Sequence, residues 1–290
     1  MNNSRSIRGI KNAKFLEDGF CISNPFQESE ITAVGIDFYN RLLMQAYKLS
    51  LVDEFVPKIY GDTVSAEEID FLVIEVQKTN KRSVDFAVQE LRECPALYSM
   101  VNQNFLSICS ELLDSPESLL KIHWDGILVN TPKNEQRLYK FHTEQHYYPY
   151  RKNFINFWMP VIRDKTTTNG AMKIAHKGHI RNYSMSEYSG FSSKQGNDAS
   201  EANYFYQLQI PPGELENLEI LDCDIGIGDA LFFNGNLPHT STVNISSEPT
   251  YALIGRIYDY RADLTLSDNT GLKLYSAGDG GFPNLRPIPR

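Results

Sequence analysis

Three side chains in this sequence could together bind a metal ion. His142 and Glu144 are separated by one residue, and on an extended strand residues i and i+2 point to the same face. His239 follows a Gly-Asp turn and the short apolar run 230–233, at what we expect to be a strand's exit loop, where ligands are commonly presented. Two imidazoles and one carboxylate on one face of an octahedron form the ligand set of a mononuclear non-haem iron site. The pattern therefore predicts an iron site at His142, Glu144 and His239.

Two further histidines compete for a role in this site. His146 has the same strand parity as His142 and Glu144, so it is an alternative ligand or a substrate contact. His123, beside Trp124, is more typical of a packed strand residue.

The composition is that of an ordinary globular chain. The 290 residues are 41% hydrophobic and 12% aromatic, which is enough for a packed core. The net charge of −8 and the lack of a Lys/Arg block argue against a nucleic-acid partner. No apolar stretch approaches the ~20 residues of a membrane helix, and the first twenty residues lack an apolar signal core, so we expect a cytoplasmic protein without a membrane partner. The four cysteines are widely spaced, as buried free thiols would be.

Elements that could position the site follow from the periodicity of apolar residues. Helical spacing predicts helices over Glu28 to Phe55, Ala66 to Lys78, Ser83 to Cys94 and Pro95 to Leu113. Short β-branched or aromatic runs predict strands over Leu119 to Val129, Leu138 to Glu144, Phe154 to Val161, Gly170 to Ile174, Leu218 to Cys223, Ala230 to Phe233 and Tyr251 to Tyr260, with an edge strand near Phe20 to Ile22. The predicted fold class is mainly β with α, a double-stranded β-helix core with an N-terminal helical layer.

We expect a single domain over residues 1–290. Residues 1–116 would form the helical layer and edge strand, 117–262 the core, and 263–290 a tail. The polar stretch 181–212 reads as a lid-like insertion or, equally, as a floppy one.

Four segments of the core resemble the phytanoyl-CoA dioxygenase family of iron- and 2-oxoglutarate-dependent oxygenases. They are residues 141–150, 155–160, 169–179 and 228–258. Phe141 stands where the family has Trp, and Glu144 stands where it has Asp, a substitution that keeps an oxygen ligand. In the third segment His176 and Lys177 replace Pro and Gly, while His179 is kept as a structural residue.

The resemblance implies a dioxygenase that uses Fe(II), 2-oxoglutarate as cosubstrate and O₂. In the family an Arg eleven positions after the distal His binds the far carboxylate of 2-oxoglutarate; here that position is Thr250. Arg256 on the same strand is the first candidate to replace it, with Lys140, Lys173 or the Thr250 hydroxyl as others. Six strand residues span roughly 20 Å, so Arg256 would need a bulge to reach the place of Thr250.

The substrate implied is a small polar metabolite or sugar-like molecule, hydroxylated at a C–H bond. Tyr147, His146 and Trp158 are the candidate substrate contacts. Two other interpretations remain: a metal-binding β-helix protein that no longer uses 2-oxoglutarate, which Thr250 favours, and a structural barrel without a metal.

Overall fold

The computed structural model describes residues 13–134, 139–148, 153–188 and 207–261. After a helix at residues 13–18 (α1), the helices are α2 (Glu28–Lys48), α3 (Ala66–Thr79), α4 (Lys81–Leu91), α5 (Pro95–Ser99), α6 (Gln103–Leu113) and α7 (Glu144–Tyr147). The strands are β1 (Phe20–Ser23), β2 (Leu120–Asn130), β3 (Phe154–Pro160), β4 (Met172–Ala175), β5 (Ser186–Tyr188), β6 (Gln207–Gln209), β7 (Ile220–Cys223), β8 (Ala230–Asn234), β9 (His239–Ser241) and β10 (Thr250–Asp259). Within these ranges every helix is too short or too polar to span a membrane.

Helix α2 is shorter than its apolar spacing predicts. It ends at Lys48 instead of Phe55, because Ser50 takes a left-handed φ of 56° and its N–H donates to the Tyr47 carbonyl at 3.0 Å. The next N–H, that of Leu51, reaches back five residues to a carbonyl of the last turn at 2.9 Å. This pair of bonds is a Schellman motif, which terminates a helix whatever the hydrophobicity of the residues that follow.

The single helix predicted over Pro95 to Leu113 is two helices, α5 and α6. Asn102 interrupts it, because its side-chain oxygen accepts the N–H of Phe105 at 2.9 Å and so caps the start of α6. An Asn in this position favours a new N-terminus over a continuous helix.

Five strands form an antiparallel sheet in the order β1-β8-β3-β10-β2. Strand β1 pairs at its edge, as expected for the N-terminal strand. Along β10, Tyr251, Leu253 and Ile257 pack against the helices in the larger core cluster, whereas Ala252 and Ile254 belong to a second cluster on the opposite face. Both faces of this strand are buried, which explains its continuous apolar run.

A second sheet, β7-β4-β9, faces that second cluster and is extended by an isolated bridge between His142 and His239. The two sheets enclose an inner apolar cluster formed by Trp158, Met172, Ile174, Cys223, Ile225, Leu231, Phe233, Leu237 and Ala252. The fold is therefore a double-stranded β-helix with a helical layer packed on the outer face of its larger sheet, as predicted.

The strand predicted over Leu138 to Glu144 is wrong. Leu138 lies outside the described residues, His142 forms only an isolated bridge, and Glu144 begins α7. The chain turns here because the N–H of Gln145 donates to the Gly235 carbonyl at 2.8 Å, which draws it off the sheet.

The insertion predicted over residues 181–212 is described only at its two ends. These ends form β5 and β6, which pair with each other. Residues 189–206 and the tail from 262 onwards lie outside the described residues. All four cysteines are buried and no disulfide joins them, as expected.

Candidate metal centre

The side chains of His142, Glu144 and His239 converge at one point between the two sheets. The Oε1 atom of Glu144 lies 3.6 Å from Nε2 of His142 and 3.9 Å from Nε2 of His239. The three potential ligand atoms all lie within 4.8 Å of one another, and all three residues are buried. The sequence prediction that these residues meet is confirmed.

The backbone brings the two histidines together. His142 and His239 exchange both main-chain hydrogen bonds, at 3.1 and 3.0 Å, and their rings lie 4.3 Å apart. Thr143, between the first histidine and Glu144, is extended (φ −119°, ψ 145°), so the alternation expected of a strand holds locally although the strand itself is absent. His239 is the first residue of β9 and not a loop residue.

Both imidazole rings are oriented by hydrogen bonds from Nδ1 to backbone carbonyls. Nδ1 of His142 lies 2.7 Å from the Lys140 carbonyl oxygen, and Nδ1 of His239 lies 2.9 Å from that of Leu237. A carbonyl oxygen only accepts, so each Nδ1 carries a proton and each Nε2 is the ring nitrogen that faces Glu144. No pattern in the sequence indicates these carbonyl contacts.

Arg256 orients the side chain of Glu144. Its Nη2 and Nε donate to the same oxygen of Glu144, Oε2, at 2.7 and 3.3 Å, which leaves Oε1 facing the histidines. Its Nη1 pairs with Asp125, and its guanidinium lies 4.7 Å from the ring of Tyr148. His123, the other partner of Asp125, lies 3.5 Å from that carboxylate.

The electrostatics favour a charged Glu144 carboxylate beside a neutral His239 imidazole. Burial opposes ionisation of Glu144, but the positive charge of Arg256 and contact with His142 outweigh it, and the pKa of Glu144 lies well below its usual range. Burial, followed by the neighbouring His142, lowers the pKa of His239 to about 3. Two imidazole nitrogens and one carboxylate oxygen, with their atoms already convergent, fit Fe(II) as a facial ligand set.

Of the predicted substrate contacts, Tyr147 lies beside the metal cluster and His146 is bonded elsewhere. Tyr147 lies beside the cluster, with its ring 5.7 Å from that of His142, and its hydroxyl accepts the N–H of Leu208 at 3.0 Å. His146 is not among the convergent groups, because its ring bonds the Thr143 hydroxyl and lies 3.2 Å from the Tyr183 carbonyl.

Trp158 lies inside the barrel. It sits on β3, opposite Ile254, and belongs to the inner apolar cluster. Its aromatic surface therefore lines the space between the sheets rather than the surface of the molecule.

The predicted cosubstrate anchors do not meet. Arg256 lies at the metal cluster, whereas Thr250 pairs with Asn130 at the opposite end of β10. The bulge does exist, but it falls at Asp125 of β2, between the pairs of Ile254 and Gly255, and β10 keeps an unbroken register with β3. Arg256 is therefore not shifted towards Thr250.

The two lysines considered as cosubstrate anchors, Lys140 and Lys173, have exposed side chains. Lys140 is exposed and contributes its backbone carbonyl to His142. Lys173 is 40% exposed and pairs with Asp222 at 3.2 Å.

Lys165 is a residue that the sequence did not single out. Its side chain is 1% exposed, and its ammonium contacts the Thr250 hydroxyl. It lies in the polar segment 163–169, a composition typical of a solvated loop, so no sequence signal indicated its burial.

A protein-family model matches most of the chain. The model described as "Phytanoyl-CoA dioxygenase (PhyH)" matches residues 16–250, most of the chain. No curated protein sequence matches at a significant level.

Several solved structures align with most of the chain at low identity. EvdO2 from Micromonospora carbonacea var. aurantiaca is 17% identical with a TM-score of 0.50, over 89% of this chain and 91% of that one. The same protein complexed with 2-oxoglutarate is 16% identical, with a TM-score of 0.49 and the same coverage. SnoN, a non-heme alpha ketoglutarate dependent epimerase from nogalamycin biosynthesis, is 12% identical with a TM-score of 0.46, over 88% and 84%. The first of these supports the fold.

Proposed function

This chain belongs to the phytanoyl-CoA dioxygenase family, and from that premise we propose that it hydroxylates a C–H bond of a small polar or sugar-like metabolite. As a family member it is a non-haem iron, 2-oxoglutarate-dependent oxygenase. The observation that carries the proposal is the convergence of the two Nε2 atoms and one carboxylate oxygen inside the barrel.

His142, Glu144 and His239 are the residues that would hold Fe(II). When bound, the iron together with 2-oxoglutarate and O₂ supplies an oxidant strong enough to replace a C–H bond by C–OH, while 2-oxoglutarate becomes succinate and CO₂. In balance, one substrate, one 2-oxoglutarate and one O₂ give one alcohol, one succinate and one CO₂.

The protein's own groups set the conditions for that chemistry. The Lys140 and Leu237 carbonyls keep both imidazoles in the ligand tautomer, and Arg256 occupies one oxygen of Glu144 so that the other serves as a single donor. The inner apolar cluster lies against this site, since Phe233 contacts the ring of His239 at 4.7 Å. Apolar walls exclude water, which protects a reactive intermediate from side reactions.

Helix α7 is the proposed substrate wall. It carries Glu144 at its first position and Tyr147 at its last, and Tyr147 lies beside His142. A substrate held against Tyr147 and His146 would lie next to the metal, whereas Trp158 would contact whatever enters the barrel itself.

The test uses a readout that needs no known substrate. Oxygenases of this type convert some 2-oxoglutarate to succinate without substrate, so purified protein with Fe(II) and O₂ should release succinate. His142→Ala and His239→Ala should abolish release, while His179→Ala, outside the cluster, should retain it. Succinate release that survives both ligand substitutions would overturn the assignment.

A second function is favoured by one observation. Thr250 stands where relatives carry the anchoring Arg, and Arg256 is already paired with two carboxylates. This arrangement suits a protein that retains iron but does not use 2-oxoglutarate. Iron at one equivalent with no 2-oxoglutarate binding would select this alternative.

A further inference from the structure

The ammonium group of Lys165 is buried with most of its bonding capacity unused. Its side chain is 1% exposed, and among the described residues its one hydrogen-bond acceptor is the Thr250 hydroxyl, with no carboxylate at ion-pair distance. The Thr250 hydroxyl in turn donates to the Asn169 carbonyl at 2.7 Å. An ammonium has three N–H donors, so two remain available to a ligand.

Lys165 faces the interior that contains the metal cluster. It forms a bridge with Ile225 through two main-chain bonds of 2.9 and 2.8 Å, and directly opposed residues of an antiparallel pair point to the same face. The Ile225 side chain belongs to the inner apolar cluster. By the same rule, His239 shares the face of its partner Ile174, another member of that cluster.

A polar residue, Ser241, lies between His239 and Lys165. Ser241 follows His239 by two positions on the same face and pairs with Met172, which pairs with Cys223 on its other side. The steps from His239 to Ser241 and from Cys223 to Ile225 together cover four residues, which is roughly 13 Å along the strands. A five-carbon dicarboxylate that chelates the metal and a lysine side chain extended towards it together span such a gap.

The charge balance calls for an anion at this point. A buried ammonium without a partner is costly, and burial lowers the pKa of Lys165 to about 7. The other buried cation of the described residues, Arg256, is already paired with Asp125 and Glu144. An incoming carboxylate would therefore find its counter-ion at Lys165 and not at Arg256.

We infer that Lys165, oriented by Thr250, binds the far carboxylate of 2-oxoglutarate. The inference rests on the proposed function and deepens it, since it assigns the cosubstrate contact to a residue that lies apart from Arg256 and Lys140. It also gives Thr250 a role: its hydroxyl proton is committed to Asn169, so it holds the lysine and does not contact the cosubstrate itself.

Calorimetry on the full chain loaded with Mn(II), without O₂, tests this directly. Two ligands are compared: 2-oxoglutarate, and 2-oxobutyrate, which has the same chelating group but no far carboxylate. Loss of a buried charged hydrogen bond should weaken 2-oxoglutarate binding about 100-fold in Lys165→Met, with 2-oxobutyrate binding unchanged. Thr250→Val should show a smaller loss of the same kind, and Lys173→Met, an exposed lysine of the same sheet, should bind both ligands like the unsubstituted protein.

Each result decides between the claims. Unchanged 2-oxoglutarate binding in Lys165→Met overturns the inference and leaves the proposed function intact. Equal affinity of the unsubstituted protein for the two ligands also overturns it, because the far carboxylate is then unrecognised. Binding of neither ligand by the unsubstituted protein overturns the proposed function, and the inference with it. Retained 2-oxobutyrate binding by Lys165→Met shows that the variant is folded and metal-loaded.

Discussion

Arg256 donates both of its nearest N–H groups to a single oxygen of Glu144, at 2.7 and 3.3 Å, and leaves the other oxygen 3.6 Å from the ring nitrogen of His142. The two carboxylate oxygens therefore have different partners before any metal binds. Arg256 comes from β10 and Glu144 from the first turn of α7, so this contact joins the larger sheet to the metal cluster. We regard Arg256 as a positioning residue for the carboxylate ligand.

Arg256→Lys should weaken metal binding while the protein remains folded. A lysine keeps the charge between Glu144 and Asp125 but cannot donate two bonds in a fixed plane. Loss of a residue that orients a ligand typically costs about 10–100-fold in metal affinity. Co(II) titration measures this, and the visible spectrum of bound Co(II) should change because Glu144 is no longer oriented.

Arg163→Lys is the matched control for that experiment. Arg163 also pairs with two carboxylates, those of Asp70 and Glu248, but it lies away from the cluster. Its variant should keep the affinity and spectrum of the unsubstituted protein. If Arg256→Lys does the same, the positioning role is wrong.

His142→Ala and His146→Ala should differ sharply in iron content. His142 is a member of the convergent cluster, whereas the His146 ring is committed to Thr143 and the Tyr183 carbonyl. We expect the first variant to lose stoichiometric Fe(II) and the second to retain one equivalent, measured by metal analysis after anaerobic reconstitution. The reverse pattern would make His146 the ligand, as strand parity alone permits.

Lys165→Met should be more stable than the unsubstituted protein at neutral and lower pH. Replacing a buried charge by an apolar side chain of similar length is expected to stabilise by roughly 1–4 kcal/mol. Loss of 2-oxoglutarate binding together with a gain in stability distinguishes a ligand contact from a structural residue. Urea unfolding measures the difference, and a variant less stable than the unsubstituted protein at about pH 6 contradicts it.

The difference in stability between Lys165→Met and the unsubstituted protein should depend on pH. The folded pKa of Lys165, about 7, lies below the ordinary value of 10.5. Between these values the unfolded chain holds the extra proton, so the free energy of unfolding rises with pH, while below the folded pKa the penalty is fully present. The stability gap between Lys165→Met and the unsubstituted protein should therefore narrow as the pH rises from about 7 towards 10.

No other charge faces Lys165 among the described residues. Its neighbours in sequence are turned elsewhere: Arg163 pairs with Asp70, and Asp164 accepts the N–H of Ile227 at 2.8 Å. The pH dependence of the gap is thus attributable to Lys165. A gap that stays constant across this range would show that the folded protein keeps Lys165 charged, with its pKa not lowered.

The convergence of His142, Glu144 and His239 could be predicted from the sequence, because residue type and strand alternation suffice to indicate it. The predicted strand did not form, but Thr143 is extended. One extended residue between His142 and Glu144 is enough to place both side chains on the same face. The role of Arg256 could not be predicted, because its pairing with Glu144 joins β10 to α7, two segments that are remote in sequence.

Lys165 was missed for a different reason. Its surroundings in sequence are polar, and its burial results from the bridge to Ile225 and from Thr250 on a distant strand. Such closure between remote segments leaves no periodic pattern in the sequence. The end of α2 was missed for a local reason: a hydrogen-bond motif at Ser50 ends the helix although the apolar spacing continues to Phe55.

The most direct test of the central claim is an anaerobic titration of the Fe(II)-loaded protein with 2-oxoglutarate, followed by the weak visible charge-transfer band of the chelate. We expect a saturable band with one site per chain, and none in His239→Ala. Bound iron without a band in the unsubstituted protein would contradict the account and would mean that this barrel binds metal but does not use 2-oxoglutarate.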